Sequence, residues 1–178
     1  MAKSIAYLEK KELAMLTDPL LRWIDRIYGF FVKIGSNIQS FFILYLRITW
    51  GHQLFLIGVD KLRNIDALVQ LFTKLHIPAP LFHAYEVGIL EAVGGILLFI
   101  GFASRMITIP LIILMLTALS TAHAENLANF RFVTNPQTLV IQQPYPFLIT
   151  ALVVFVFGPG RISIDAWIKR WIDKQPRY

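Results

Sequence analysis

A carboxylate stands where hydrocarbon is expected. Glu91 lies near the middle of EVGILEAVGGILLFIGFASR, residues 86–105. That run is long and apolar enough to cross a bilayer, since roughly 20 residues at about 1.5 Å rise match a hydrocarbon core of about 30 Å. A lone acid there costs on the order of 2.5–3.5 kcal/mol on insertion scales, so its presence implies a partner or a site. Gly88, Ala92 and Gly95 fall on the same helical side and admit a neighbouring backbone. The chemistry open to such a group is proton exchange, hydrogen bonding to a ligand, or pairing with a cation from an adjoining helix.

Companions for Glu91 follow from depth. Centring four apolar segments near residues 50, 94, 115 and 152 brings His52 and Gln53, Thr117 and Thr150 to a similar level. Arg47 lies deeper, but its long side chain is expected to reach Glu91. Arg47, Gly51, Leu54, Gly58 and Lys61 recur in a 4-3-4-3 rhythm, which makes one stripe and an interhelical seam. The expected polar pocket is therefore Glu91, Arg47, His52, Gln53, Thr117, Thr150 and Lys61. One use is a proton- or quinone-handling pocket or ligand site, with Glu91 ionised by Arg47 or sharing a proton with His52. The other is a structural clasp that fixes helix register. The residues alone leave both open.

Other chemistry has less support. His76, His83 and His123 are expected near one membrane face, and His83-x-x-Glu86 puts two ligand types on one helical side. His83, Glu86 and His123 are thus weak metal candidates, with satisfied interfacial histidines the stronger reading. A haem on His52 lacks a depth-matched second histidine. With no cysteine, disulfides, thiolate metal sites and dithiol relays within the chain are excluded. The residues fix no cofactor: quinone is compatible with the pocket, while haem and metal have less support.

The elements that must position these groups come from the bulk pattern. Of 178 residues 56% are hydrophobic and only 16% charged, against about 25% charged in average soluble domains. This composition, with several long apolar runs, indicates an integral membrane protein. The net charge of +6 sits at the ends of apolar segments, which fits the positive-inside rule better than nucleic-acid binding. Residues 1–17 read as a weakly amphipathic helix. Asp18-Pro19 starts an amphipathic interfacial helix in which Ile24, Ile27, Tyr28, Phe31 and Ile34 recur at helical spacing. Spans are expected over 41–59, 84–104, 106–124 and 144–160, the last being the shortest. A short helix in 60–82 ends at Pro78 and Pro80, Pro110 bends the third span, and 125–146 forms an external loop with a partly buried TLVI patch. Gly158-Pro159-Gly160 closes the last span. Ile164, Trp167, Ile168, Trp171 and Ile172 then line one face of an interfacial tail.

The expected fold is all-α: a four-transmembrane-helix bundle (41–160) flanked by an N-terminal interfacial segment (1–40) and an amphipathic tail (161–178). Twelve Lys/Arg fall on the side of the termini and 4 on the other, with Arg47 inside a span. That bias puts both termini in the cytoplasm. No cleavable signal pattern is visible in the first 40 residues.

These residues resemble a family. LRITWGHQLFLIGVDKL, FTKLHIPAP, GILEAVGGILLFIGFASRMITIPLIILM and FGPGRISID are together similar to the DoxX family of small bacterial membrane proteins. The matching positions are Arg47, Gly51, Gly58, Lys61, Leu62, Glu91, Gly94, Gly95, Gly101, Arg105 and Asp165. The resemblance implies a four-helix bundle in the inner membrane. Its relatives resemble subunits of archaeal thiosulfate:quinone oxidoreductase, while others are linked with oxidative-stress complexes or copper-handling operons. It supplies no catalytic residues. The leading expectation is a membrane subunit of a redox system that contacts quinone or an electron-transfer partner at the Glu91 level. The alternatives are a non-enzymatic assembly or anchoring subunit of a larger membrane complex, and a small-solute or copper-linked metal transporter.

Overall fold

The computed structural model describes residues 19–122, 124 and 135–175, with backbone alone at 19 and 20. The segment 1–17 lies outside this range. So do His123 and residues 125–134 of the 125–146 loop. The described elements are helices: α1 (Pro19–Arg63), α2 (Ile65–Lys74), α3 (Pro80–Ile100), α4 (Ser104–Thr121), α5 (Gln137–Val140), α6 (Pro144–Phe157) and α7 (Ile164–Asp173). Two compact units divide between residues 39 and 40.

Among the described residues, three helices are long and apolar enough to cross a membrane: α1 over Leu21–Arg63, α3 and α4. α6 is equally apolar but has 14 residues, about 21 Å at helical rise against a core of about 30 Å. The sequence pattern placed a boundary between an interfacial helix and the first span, near GSNIQS. The structure instead has one unbroken helix. No proline interrupts this stretch, and Ser36 returns its hydroxyl to the Lys33 carbonyl at 3.0 Å, which keeps a poor helix former inside the ladder.

Helix ends follow their local signals. Pro80 opens α3 at its first turn, where a missing N–H costs nothing. Gly101, at φ +72°, ends it. The turn to α4 is completed by Ala103, also left-handed at φ +47°. Ser163 caps α7 by accepting from the Ala166 amide at 3.1 Å.

Packing centres on α4 against α6, with Leu111, Met115 and Leu119 meeting Phe147, Leu148 and Ala151 around Leu54 of α1. A second cluster joins Ile43, Leu98 and Val154. In the expected TLVI patch, Leu139 packs on the first cluster, while Val140 and Ile141 are exposed. α1 and α3 touch backbone to backbone. A Cβ on Gly51 would lie 3.0 Å from the Gly95 carbonyl oxygen, and one on Gly58 would lie 2.8 Å from the Ala92 Cα. Only glycine permits that approach.

Candidate functional site

The stripe on α1 faces inward: Arg47, Gly51, Leu54 and Gly58 are buried and Lys61 is half-buried. Because Gly58 brings α1 against Ala92, Lys61 one turn further meets Glu91. Its Nζ lies 2.7 Å from Glu91 Oε1, the length of a charge-assisted hydrogen bond. The burial is unequal, with 6% of the Glu91 side chain exposed against 32% for Lys61. Glu91 Oε2 is buried and has no hydrogen-bond partner among the described residues.

The pair forms part of the wall of a cavity of about 230 Å³. Leu68, Leu71 and Phe72 of α2 cover one side; Met115 and Thr117 of α4 and Phe147 of α6 form the other. The volume falls below the roughly 300–1,000 Å³ of pockets that enclose drug-sized ligands. It suits one ring or a small headgroup. The wall is apolar except for a few groups, chiefly Lys61, Glu91, Thr117 and Gln143, the composition that binding sites share.

Arg47 does not reach Glu91. Only 1% of it is exposed, and its guanidinium donates to four carbonyls: Leu98 at 2.9 Å, Phe99 at 3.0 Å, Pro159 at 2.6 Å and Ile162 at 2.9 Å. The first two are the free carbonyls at the end of α3, and the others belong to the Gly-Pro-Gly strap. A planar fork with five donors suits this role, and an ammonium would not span it. Asp165 fastens the same strap, accepting from the Ala103 amide at 2.8 Å and the Ser104 amide at 2.9 Å at the start of α4. Sequence reasoning matched Asp165 to a family pattern but gave it no role. The carboxylate sits where a helix N-terminus favours negative charge.

The remaining candidates divide. Thr117 lines the cavity, its hydroxyl donating to the Ile113 carbonyl at 2.9 Å. Thr150 is buried, 1% exposed, but is not part of the cavity wall. His52 and Gln53 are exposed and do not join the layer; the His52 ring leans toward Phe99, 6.4 Å between centroids. His83 Nδ1 meets Glu86 Oε2 at 2.8 Å on the exposed side of α3. Among the described residues no three His, Cys, Asp or Glu converge as a metal site, and His123 lies outside them.

Comparison with known proteins bears on the same region. The DoxX family model matches residues 42–124, which hold Arg47, Lys61 and Glu91. Over that stretch the chain is similar to the DoxX family. It is 24% identical over 127 residues, 70% of this chain and 85% of the relative, to a Bacillus subtilis (strain 168) protein named "Putative oxidoreductase CatD". No solved structure matches the chain.

Proposed function

We propose that this chain is a DoxX-type membrane subunit of a redox system and contacts a quinone headgroup in the Lys61–Glu91 cavity. The observation that carries this reading is the ion pair of buried Glu91 with half-buried Lys61, set in the wall of a ring-sized apolar cavity, with one carboxylate oxygen unpartnered among the described residues. Ionisable groups at such depth mark substrate or proton pathways more often than not. The name of the Bacillus subtilis relative points the same way. In this reading α6, lengthened by the strap, is a fourth span of a bundle over 41–160. Residues 1–40 and the 161–178 tail flank it as interfacial segments, the first continuous with its span through α1. Both termini face the cytoplasm of a bacterial inner membrane, on the charge bias of the sequence. Purified from native membranes, the protein should release quinone on solvent extraction. Glu91→Gln should abolish quinone-dependent turnover of the complex. Unchanged turnover would sink the proposal.

A second reading is favoured by α7. Trp167 and Trp171 are 67% and 58% exposed on its apolar face, beside Lys169 and Arg170. The chain would then anchor or assemble a partner complex through its amphipathic ends. Trp167→Ser with Trp171→Ser should release a co-purifying partner under this reading and leave quinone content untouched.

A further inference from the structure

We propose that the cavity selects the reduced, hydroxyl-bearing form of its ring ligand over the oxidised carbonyl form; this rests on the quinone reading above. The argument is one of donors and acceptors. Lys61 spends one of its three N–H donors on Glu91 Oε1 and, being a third exposed, has others to offer. Glu91 Oε2 can only accept, and nothing among the described residues donates to it. Thr117 has committed its hydroxyl hydrogen to Ile113, so toward a ligand it too can only accept.

An oxygen lodged beside this pair therefore meets an ammonium that donates and a carboxylate that accepts. Nζ and the carboxylate are 2.7 Å apart at their nearest, so one ligand oxygen can address both groups. Oε2 is shielded as the chain stands; the terminal carboxylate torsion is soft, and rotation about it brings that oxygen to the cavity that Glu91 lines. A phenolic O–H satisfies the arrangement completely: its oxygen accepts from Lys61 and its hydrogen goes to Glu91. A quinone carbonyl accepts from Lys61 but sets its lone pairs against the carboxylate and leaves Oε2 without a donor. An unmade bond to a buried charged group is costly, so the discrimination should be about ten- to hundredfold.

The test uses the full chain in detergent and equilibrium dialysis under anaerobic conditions, with three probes of one ring: a short-chain benzohydroquinone, its quinone and its dimethyl ether. The hydroquinone should bind at least about tenfold tighter than either of the others. In Glu91→Gln the amide must turn its oxygen to Lys61 and its N–H₂ to the former Oε2 position, which exchanges an acceptor for a donor. The preference should then shrink or reverse in favour of the quinone. Equal binding of all three probes to the native protein overturns the selectivity and leaves the ring-binding site standing. Ether binding equal to that of the hydroquinone also overturns it. Binding of none removes the quinone reading itself. If the variant does not fold, the comparison of hydroquinone with its ether on the native chain still decides the matter.

Discussion

Two charges on the inward stripe of α1, buried Arg47 and half-buried Lys61, stand about four helical turns apart and are treated in opposite ways. Around Arg47 four of the five guanidinium donors are spent on main-chain carbonyls. At Lys61 the partner carboxylate keeps a free oxygen and a cavity adjoins it. Both are charged groups turned into the bundle, so an inward charge alone does not mark function. What separates a rivet from a site is whether the polar valence is saturated by the chain itself.

The largest expected effect comes from removing the rivet. Arg47→Leu orphans buried acceptors on α3 and on the strap, each worth about 1–3 kcal/mol. Loss of at least about 3 kcal/mol should appear as a collapse of the detergent unfolding midpoint, followed by intrinsic tryptophan fluorescence. Arg47→Lys should recover only a minor part, because a point charge cannot serve carbonyls on two elements. Recovery of full stability by lysine would show that charge alone, and not the fork, holds the strap.

Next in size is the spacing that brings the two helices together. Gly58→Val drives carbon into the backbone at Ala92 and Glu91, both contacts at 2.8 Å from the Cβ position. Backbone cannot swing aside as a side chain can, so about 2–3 kcal/mol should be lost. The Lys61–Glu91 contact should loosen, seen as weaker ring-ligand binding. Gly29→Ala is the control: nothing lies within 4 Å of that Cβ, and the helix should gain up to about 1 kcal/mol.

How much of this was readable beforehand depends on what the letters encode. The seam on α1 was legible because its rhythm is a helical period, and Glu91 was legible because an acid in an apolar run contradicts its surroundings. His52 and Gln53 were chosen by depth and fail by direction, since a stripe through Gly51 and Leu54 leaves 52 and 53 roughly 100–200° off it. That signal was present and went unused. The partners of Arg47 could not be read at all. Main-chain carbonyls have no letter, and Pro159 and Ile162 arrive from more than a hundred residues away. The uninterrupted α1 was missed for a milder reason: Gly, Ser and Asn weaken a helix but do not end it without a competing cap.

A smaller effect probes the strap from its other fastening. Asp165→Ala removes the acceptor for the Ala103 and Ser104 amides and should cost about 1–2 kcal/mol, as for loss of a helix cap. Limited proteolysis should then cut at 158–163 before the bundle unfolds. Cleavage no faster than in the native chain would mean that Arg47 alone holds the strap.

The smallest change in stability should come from the replacement that looks most drastic. Lys61→Met with Glu91→Leu removes both charges and leaves side chains of similar volume. Lys61→Met alone strands a buried carboxylate and should cost about 3–5 kcal/mol; the double replacement should be neutral, or stabilising by about 1–4 kcal/mol, because the desolvation of both ions disappears with their attraction. Ring-ligand binding should be lost in the same protein. A bundle that folds as well as before and binds nothing would separate the two centres cleanly, the pair having been kept for what it holds and Arg47 for what it ties. Should the double replacement destabilise the bundle as much as Arg47→Leu does, Lys61 and Glu91 are a second rivet and the cavity beside them is packing left incomplete.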